Sequence, residues 1–215
     1  KEQLNDVQTE IFKVNNLEEG YIRPMCFYGA QGMGLRADNL KTHCIVAAWE
    51  WPSYMSPEAF DEGIKIKISS YKRQTNNLVS RSKVNGNYVT SIMALQEAMQ
   101  EGFDEALLLD DEGNISEGSG ENLFLVKEGE LFTPDLAASL NGITRKSIIS
   151  LAQEDGIEVR VKKINLTEIL DADELFFTGT AAEVVPIRTV DQNTIASGKP
   201  VSYTHLTLPT SHNVG

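Results

Sequence analysis

The apolar residues of the first third of the chain fall in short runs. Tyr21 to Tyr28 is rich in aromatic and apolar residues, and Thr42 to Trp49 is nearly continuous apolar sequence, suited to a buried strand. A helix-like segment, Val7 to Val14, precedes them. The loop Gly29-Ala30-Gln31-Gly32-Met33-Gly34 is glycine-rich but lacks the strand-to-helix context of a dinucleotide fingerprint. Trp51-Pro52-Ser53-Tyr54-Met55-Ser56-Pro57 breaks regular structure. It predicts a linker over 52–58, between part of a small domain over 1–51 and a large domain over 59–201. Past the linker, Ile64, Ile66 and Ile68 alternate with Lys65 and Lys67, the pattern of a half-buried strand. From Tyr88 to Gln100, Ile92, Leu95 and Met99 recur at helical spacing, with Gly102 placed to end the helix. Ala106 to Leu109 reads as a strand, Asp110 to Asn114 as its turn, and Ile115 as the return. Leu123 to Val126 and Leu131 to Thr133 flank a turn at Lys127 to Glu130. A second helix runs from about Thr144 to Asp155 with Ile148, Leu151 and Ala152 on one face, and strands follow near Ile157 to Val161 and Glu174 to Thr178. The sum is a mixed α/β chain.

Composition narrows the class. The 215 residues carry a net charge of -12, and an acidic surface repels both nucleic acid and anionic membrane. No apolar run approaches the length of a membrane span, and the polar start Lys1-Glu2-Gln3-Leu4-Asn5 does not read as a signal peptide. Cys26 and Cys44 stand apart, without zinc-ligand spacing or a disulfide framework. A cytoplasmic protein with neither nucleic acid nor membrane as partner, and with no metal, is the expectation. The chain lacks an initiator methionine, and Ser202 to Ser211 contains neither an acidic residue nor a helical period. Both ends predict a fragment with an atypical tail over 202–215.

Two segments offer chemistry. Ser82-Lys83-Val84-Asn85-Gly86-Asn87-Tyr88 sets one lysine among small residues, and Ser116-Glu117-Gly118-Ser119-Gly120-Glu121-Asn122 sets a carboxylate among glycines. That pairing suits a pyridoxal phosphate site. A lysine amine attacks the cofactor aldehyde to form a Schiff base, and an acid partners the pyridine nitrogen. A nearby carboxylate favours the protonated nitrogen, which makes the ring a stronger electron sink. Small neighbours such as Gly86 and Asn87 leave room for a flat ring. Taken singly, a loop lysine is ordinarily a solvated charge and a Gly-Glu turn ordinarily a hairpin. Lys65, Lys67, Lys72, Lys127, Lys162 and Lys163 fit that ordinary role, since each lies in an alternating or charged context.

The wording of these segments goes further. Lys83-Val84-Asn85-Gly86-Asn87-Tyr88 and Ile115 to Phe124 resemble two signatures of the fold-type IV pyridoxal phosphate enzymes, as do Leu140-Asn141-Gly142-Ile143-Thr144-Arg145 and Thr178-Gly179-Thr180-Ala181-Ala182-Glu183. Tyr21-Ile22-Arg23-Pro24, with Gly32-Met33-Gly34-Leu35 downstream, is similar to the branched-chain amino-acid aminotransferase branch. The motifs occur in the family's order over roughly residues 17 to 200. The resemblance implies a truncated small α/β domain followed by a larger pseudo-barrel domain, with pyridoxal 5'-phosphate as cofactor. It makes Lys83 the catalytic base and attachment point, and places Tyr88 on the cofactor's phenolic oxygen. Glu117 goes on the ring nitrogen, with Glu121 as the nearby rival. Gly142, Ile143 and Thr144 at a helix start, and Gly179 with Thr180 in a turn, are then the phosphate contacts, although Thr144 also suits a plain N-cap. The backbone around Thr180 and Ala181 receives the substrate carboxylate.

The resemblance also assigns Tyr21, Arg23 and Tyr54 to the substrate pocket, Arg23 pairing with the distal carboxylate of glutamate or 2-oxoglutarate. An arginine at a strand end and an aromatic at a helix start remain the structural alternatives for Arg23 and Tyr88. The loop at Met33, Gly34 and Leu35 reaches a neighbouring subunit in relatives, which implies a homodimer or higher homo-oligomer. The family's phosphate-binding arginine falls upstream of Lys1. The implied reaction is transamination of leucine, isoleucine and valine with 2-oxoglutarate. A D-amino-acid aminotransferase or an aminodeoxychorismate lyase is the nearest alternative within the fold type, and Tyr21 to Pro24 and Gly32 to Gly34 argue against both. A non-catalytic fragment retaining the fold is the alternative of another class.

Overall fold

The computed structural model describes residues 2–75 and 81–197, so the tail predicted over 202–215 lies outside the described residues. The chain forms two compact units that divide between Tyr54 and Met55. In the second unit the described residues build a nine-stranded sheet from β3 (Ile64–Arg73), β4 (Glu105–Asp110), β5 (Ile115–Gly118), β6 (Asn122–Lys127), β7 (Glu130–Pro134), β8 (Val159–Lys162), β9 (Glu174–Gly179), β10 (Glu183–Val190) and β11 (Asn193–Thr194). The order is β5-β4-β3-β10-β9-β6-β7-β8, with β11 paired to β10, and the sheet curls into a half-barrel. β3 runs parallel to both β4 and β10, and β7 parallel to β8; the other pairs are antiparallel. A parallel pair needs a crossover, and α3 (Tyr88–Gln100) lies on the β3-to-β4 connection.

The centre of this sheet is buried on both faces. Along β6 and β9, Leu123, Leu125, Leu175 and Phe177 point into one core, while Phe124, Val126 and Phe176 point into another. Such two-sided burial explains why Leu123 to Val126 reads as a continuous apolar run rather than as an alternation. Phe124 and Phe176 sit opposite each other in register and stack at 5.2 Å, an aromatic contact worth about 0.5–1.5 kcal/mol beyond area burial. α4 (Ile143–Glu154) closes the second core with Ile148 and Ala152. Ile169 of α5 (Leu166–Leu170) closes the first, together with Ala59 and Phe60 of α2 (Pro57–Glu62). An Asn165 capping box, with Glu168 reaching back, starts α5.

Helix α3 departs from the expected pattern. Ile92 and Met99 are 60% and 56% exposed, and the buried face is Ser91, Ala94 and Ala98. Small residues let the helix approach β4, where Ala94 and Ala98 pack on Ala106 and Leu108. The helical spacing of the larger apolar side chains is correct, but it marks the outer face.

The first unit contains α1 (Glu2–Asn15) and the antiparallel pair β1 (Tyr21–Tyr28) and β2 (Thr42–Trp49). β2 has the sequence of a buried strand yet is exposed over most of its length. Among the described residues β1 is its one strand partner. The pairing also sets Cys26 opposite Cys44, and the two exposed thiols approach to 2.9 Å between sulfurs. The cysteines that stand apart in sequence are therefore a cross-strand pair. Directly opposed residues of antiparallel strands lie within the Cα separation a disulfide requires. Oxidised glutathione should join them, two thiols and one diffusible disulfide giving an internal disulfide and two glutathiones. Peptide mass spectrometry checks this; stable glutathione adducts on separate cysteines would contradict the geometry.

Candidate active site

The lysine segment folds by local bonds. A 3-10 turn at Asn85–Asn87 runs directly into α3. The Asn87 amide donates to Val84 O at 3.0 Å and its side-chain Nδ2 to Ser82 O at 3.2 Å, folding the turn back on Ser82. Lys83 and Tyr88 thereby come together, with Lys83 Nζ donating to Tyr88 Oη at 2.8 Å. The ammonium lies 5.4 Å from the ring centroid. Gly86 faces open space: no heavy atom lies within 4 Å of the position a Cβ would take. Tyr88 is half-buried at the helix start, and its hydroxyl is committed to the lysine rather than to the core.

Glu117 stands at the end of β5, only 4% exposed. Arg73, at the end of β3, places Nη2 2.7 Å from its Oε1. The Leu140 amide donates to Oε2 at 2.9 Å and Asn122 Nδ2 to the same oxygen at 3.4 Å. Burial pushes the Glu117 carboxyl above the usual carboxylate range; the Arg73 charge, the Leu140 amide and the Lys83 charge pull it back. Lys83 thus sits within the electrostatic field of Glu117. Glu121, the sequence rival, is 6% exposed and forms no ion pair among the described residues. It abuts Glu105 instead.

Asn122 connects this carboxylate to the next motif. Its Nδ2 also donates to Leu140 O at 2.8 Å, and a Cβ on Gly142 would fall 2.3 Å from its Oδ1, so only glycine fits there. Gly142 is the N-cap of α4 and carries no capping side chain, which leaves the amides of the first turn without intrahelical partners. Thr144 is not the N-cap; it lies in the first turn and is buried, while Ile143 is 78% exposed. Arg145, also buried, turns away to β7, where Nε meets Thr133 Oγ1 at 3.3 Å and Nη2 meets Pro134 O at 3.2 Å. It bolts the helix start to the sheet. The β9–β10 turn closes on the same place: a Cβ on Gly179 would lie 3.5 Å from both Gly120 O and Glu121 Cγ. Thr180 is exposed and Ala181 half-buried in that turn.

The remaining predicted residues belong to the first unit. Tyr21 packs its ring 5.3 Å from Trp49 and 4.7 Å from Trp51, and Trp51 meets Tyr54 at 6.2 Å. The Arg23 guanidinium lies 5.4 Å from the Tyr21 ring and 5.8 Å from Trp49. Tyr21, Arg23 and Tyr54 are therefore one cluster, joined by two tryptophans that the sequence reading did not single out as site residues. Met33 and Leu35 are fully exposed, and Gly34 between them has φ +108°, a conformation that favours glycine.

Comparison with known proteins identifies the family. The family model described as amino-transferase class IV matches residues 1–190. The chain belongs to this family. It is 51% identical to a branched-chain-amino-acid aminotransferase of Pseudomonas aeruginosa over 93% of the chain, and 43% identical to one of Salmonella typhimurium over 92%. It spans about 65% of the length of each of those relatives. The Escherichia coli branched-chain aminotransferase crystal structure superposes with a TM-score of 0.91 at 41% identity, covering 94% of this chain and 68% of that one. A second branched-chain amino acid aminotransferase, solved with pyridoxamine 5'-phosphate, gives 0.90 at 40%, covering 94% and 67%. The fold is that of the fold-type IV aminotransferases.

In this class IV chain the feature that sequence reading missed is Arg73. Nothing marks an arginine four residues past Ser69 until β3 and β5 are seen flanking β4. Removing one partner of a buried ion pair leaves the other charge unpaired, at a cost of about 3–5 kcal/mol. Arg73→Met should lower stability by that order in urea unfolding, and Arg73→Lys by less. A loss under about 1 kcal/mol would show the pair to behave like an exposed one.

Proposed function

We propose that the intact protein transfers the α-amino group of leucine, isoleucine or valine to 2-oxoglutarate, giving branched 2-oxo acids and L-glutamate, with pyridoxal 5'-phosphate as cofactor. The observation that carries this reading is Lys83 Nζ, held by Tyr88 at 2.8 Å within the field of the buried, Arg73-paired Glu117. The names of the relatives support branched-chain amino acids as the amino donors.

The residues fit this cofactor. Glu117 is a buried carboxylate whose Oε1 accepts from Arg73, and an oxygen with two lone pairs keeps room for a ring N–H. The uncapped first turn of α4 offers amides to a phosphate, as would the Gly179–Thr180 turn. Bound there, the cofactor would supply an aldehyde for the amino group and a ring that accepts electron density from the substrate Cα.

The side chains define their own parts in the reaction. Lys83 Nζ is the base that takes the proton from the substrate Cα, and Tyr88 Oη, as its hydrogen-bond partner, orients it. Glu117 holds a proton at the ring nitrogen, and Arg73 favours its anionic form against the effect of burial. The Thr180 and Ala181 backbone receives the substrate carboxylate. Tyr21, Tyr54 and the two tryptophans provide an apolar wall for a branched side chain, while Arg23 answers the distal carboxylate of the glutamate half-reaction. The exposed loop at Met33, Gly34 and Leu35 completes the neighbouring site in a homodimer. The net charge of -12 supports a cytoplasmic setting away from anionic membranes.

Incubation with pyridoxal 5'-phosphate, borohydride trapping and peptide mapping should modify Lys83 selectively, and Lys83→Ala should abolish both labelling and turnover in a full-length version. Labelling scattered over surface lysines in that full-length version would refute the assignment.

A further inference from the structure

Beneath the Glu117 turn lie two carboxyl groups that this mechanism does not use. Glu105, on β4, is fully buried, and Glu121, in the turn before β6, is 6% exposed. Glu105 Oε1 accepts from the Ala106 amide at 2.6 Å and the Ser119 amide at 3.3 Å. Glu121 Oε2 accepts from the Gly120 amide at 2.9 Å. The second oxygen of Glu105 is buried with no donor, and the two carboxyl groups bind successive amides of one turn, those of Ser119 and Gly120, so that each lies in the other's field. An acceptor pressed against an acceptor is unstable out of water, and two adjacent buried carboxylates cannot both ionise.

The Ser119 side chain also donates to Glu105, but among the described residues no cation pairs with either carboxyl. Arg73, on β3, is engaged by Glu117 on β5, and Lys83 acts on Glu117 as well. Glu117 itself adds repulsion toward Glu121. β9 presents the Phe177 ring and Gly179, both uncharged.

We propose that Glu105 and Glu121 share one proton, and that this carboxyl pair is a positioning device for Glu117. The Glu121 side chain fills the inside of the turn: a Cβ on Gly118 would lie 2.9 Å from its Oε2 and 3.1 Å from the Phe177 ring. The Gly118 amide donates to Glu121 O at 2.8 Å. Glu105 grips the same turn from β4 through Ser119. With the proton in place, β4, the turn and β9 are fastened together, and Glu117, one residue before Gly118, is held where Arg73 and Leu140 meet it. The pair acts on the reaction only through Glu117, so the functional part of the proposal rests on the transaminase reading above.

The pair has a signature in pH. Burial, then the charges of Glu105 and Glu117, push the Glu121 carboxyl up to about 8. An unfolded glutamate releases its proton near its ordinary value of 4.5 while the folded pair retains one. Stability is therefore greatest at low pH on this account and falls as pH rises toward 8 and through it.

The test needs no cofactor. In the purified chain, an infrared titration should show a protonated carboxyl at neutral pH that disappears with a midpoint near 8. Glu121→Gln, whose amide can still donate to Glu105 Oε2, should remove that band and flatten the fall in melting temperature with pH. Glu121→Ala should melt lower than Glu121→Gln. The Ser119 and Leu140 amide resonances, which report on Glu105 and Glu117, should shift together across the same transition in the wild type and lose it in Glu121→Gln. Absence of the carboxyl band at neutral pH overturns the shared proton. Movement of Ser119 without Leu140 overturns the positioning role. Should the variants fail to fold, the wild-type infrared and amide titrations decide alone. Any of these negative results leaves the Lys83 assignment standing, because none involves the cofactor.

Discussion

The site depends on keeping a carboxylate ionised where little water reaches it. Glu117 is nearly inaccessible, and burial alone would drive it to the neutral acid. Arg73 opposes that tendency from one side, while the Leu140 amide and Asn122 do so from the other. Each partner comes from a different part of the chain, so the carboxylate has this environment only when β3, β5, β6 and the approach to α4 are all in place. The central strands β6 and β9, packed on both faces, provide the rigidity that holds these parts in register.

The cluster around Glu117 divides its charges unequally. One carboxylate has a cation at 2.7 Å; two others in the same region have amides, the Ser119 side chain and each other, with no cation paired to them among the described residues. A single proton between the deeper pair limits the negative charge beneath the site, which would otherwise compete with Glu117 for Arg73 and Lys83. Glycine at 118 and 142 permits this density of polar groups, since a side chain there would meet Glu121 Oε2 at 2.9 Å or Asn122 Oδ1 at 2.3 Å. These glycines serve close approach rather than flexibility.

Much of the fold was legible because its elements are locally consistent. Alternation at Ile64 to Ile68, the turn at Asp110 to Asn114 and the helix ending before Gly156 all appear as read. Several features were not read, among them the following. α5 is announced by Asn165 and Glu168 at capping-box spacing, a signal present in the sequence but passed over. β10 carries Pro186 in the interior of the sheet, against the usual rule; its pairing with β3 begins at Ile187, so the missing donor is not needed there. The buried face of α3 is made of Ser91, Ala94 and Ala98, because contact with β4 favours small residues over the larger apolar ones that dominate a periodicity search.

What the sequence determined by itself was the inventory of chemistry. A lysine and a tyrosine five residues apart, a carboxylate between small residues, and a glycine opening a helix are local arrangements, and short-range turns and hydrogen bonds are enough to form them. What only the tertiary structure decided was which groups share a charge environment. Arg73 and Glu117 are far apart along the chain and meet because β3 and β5 flank β4. Glu105 and Glu121 meet because the turn before β6 folds over β4, and Cys26 and Cys44 because β1 and β2 pair in one register. Electrostatic and contact energies fall steeply with distance through space, and distance along the sequence does not report it.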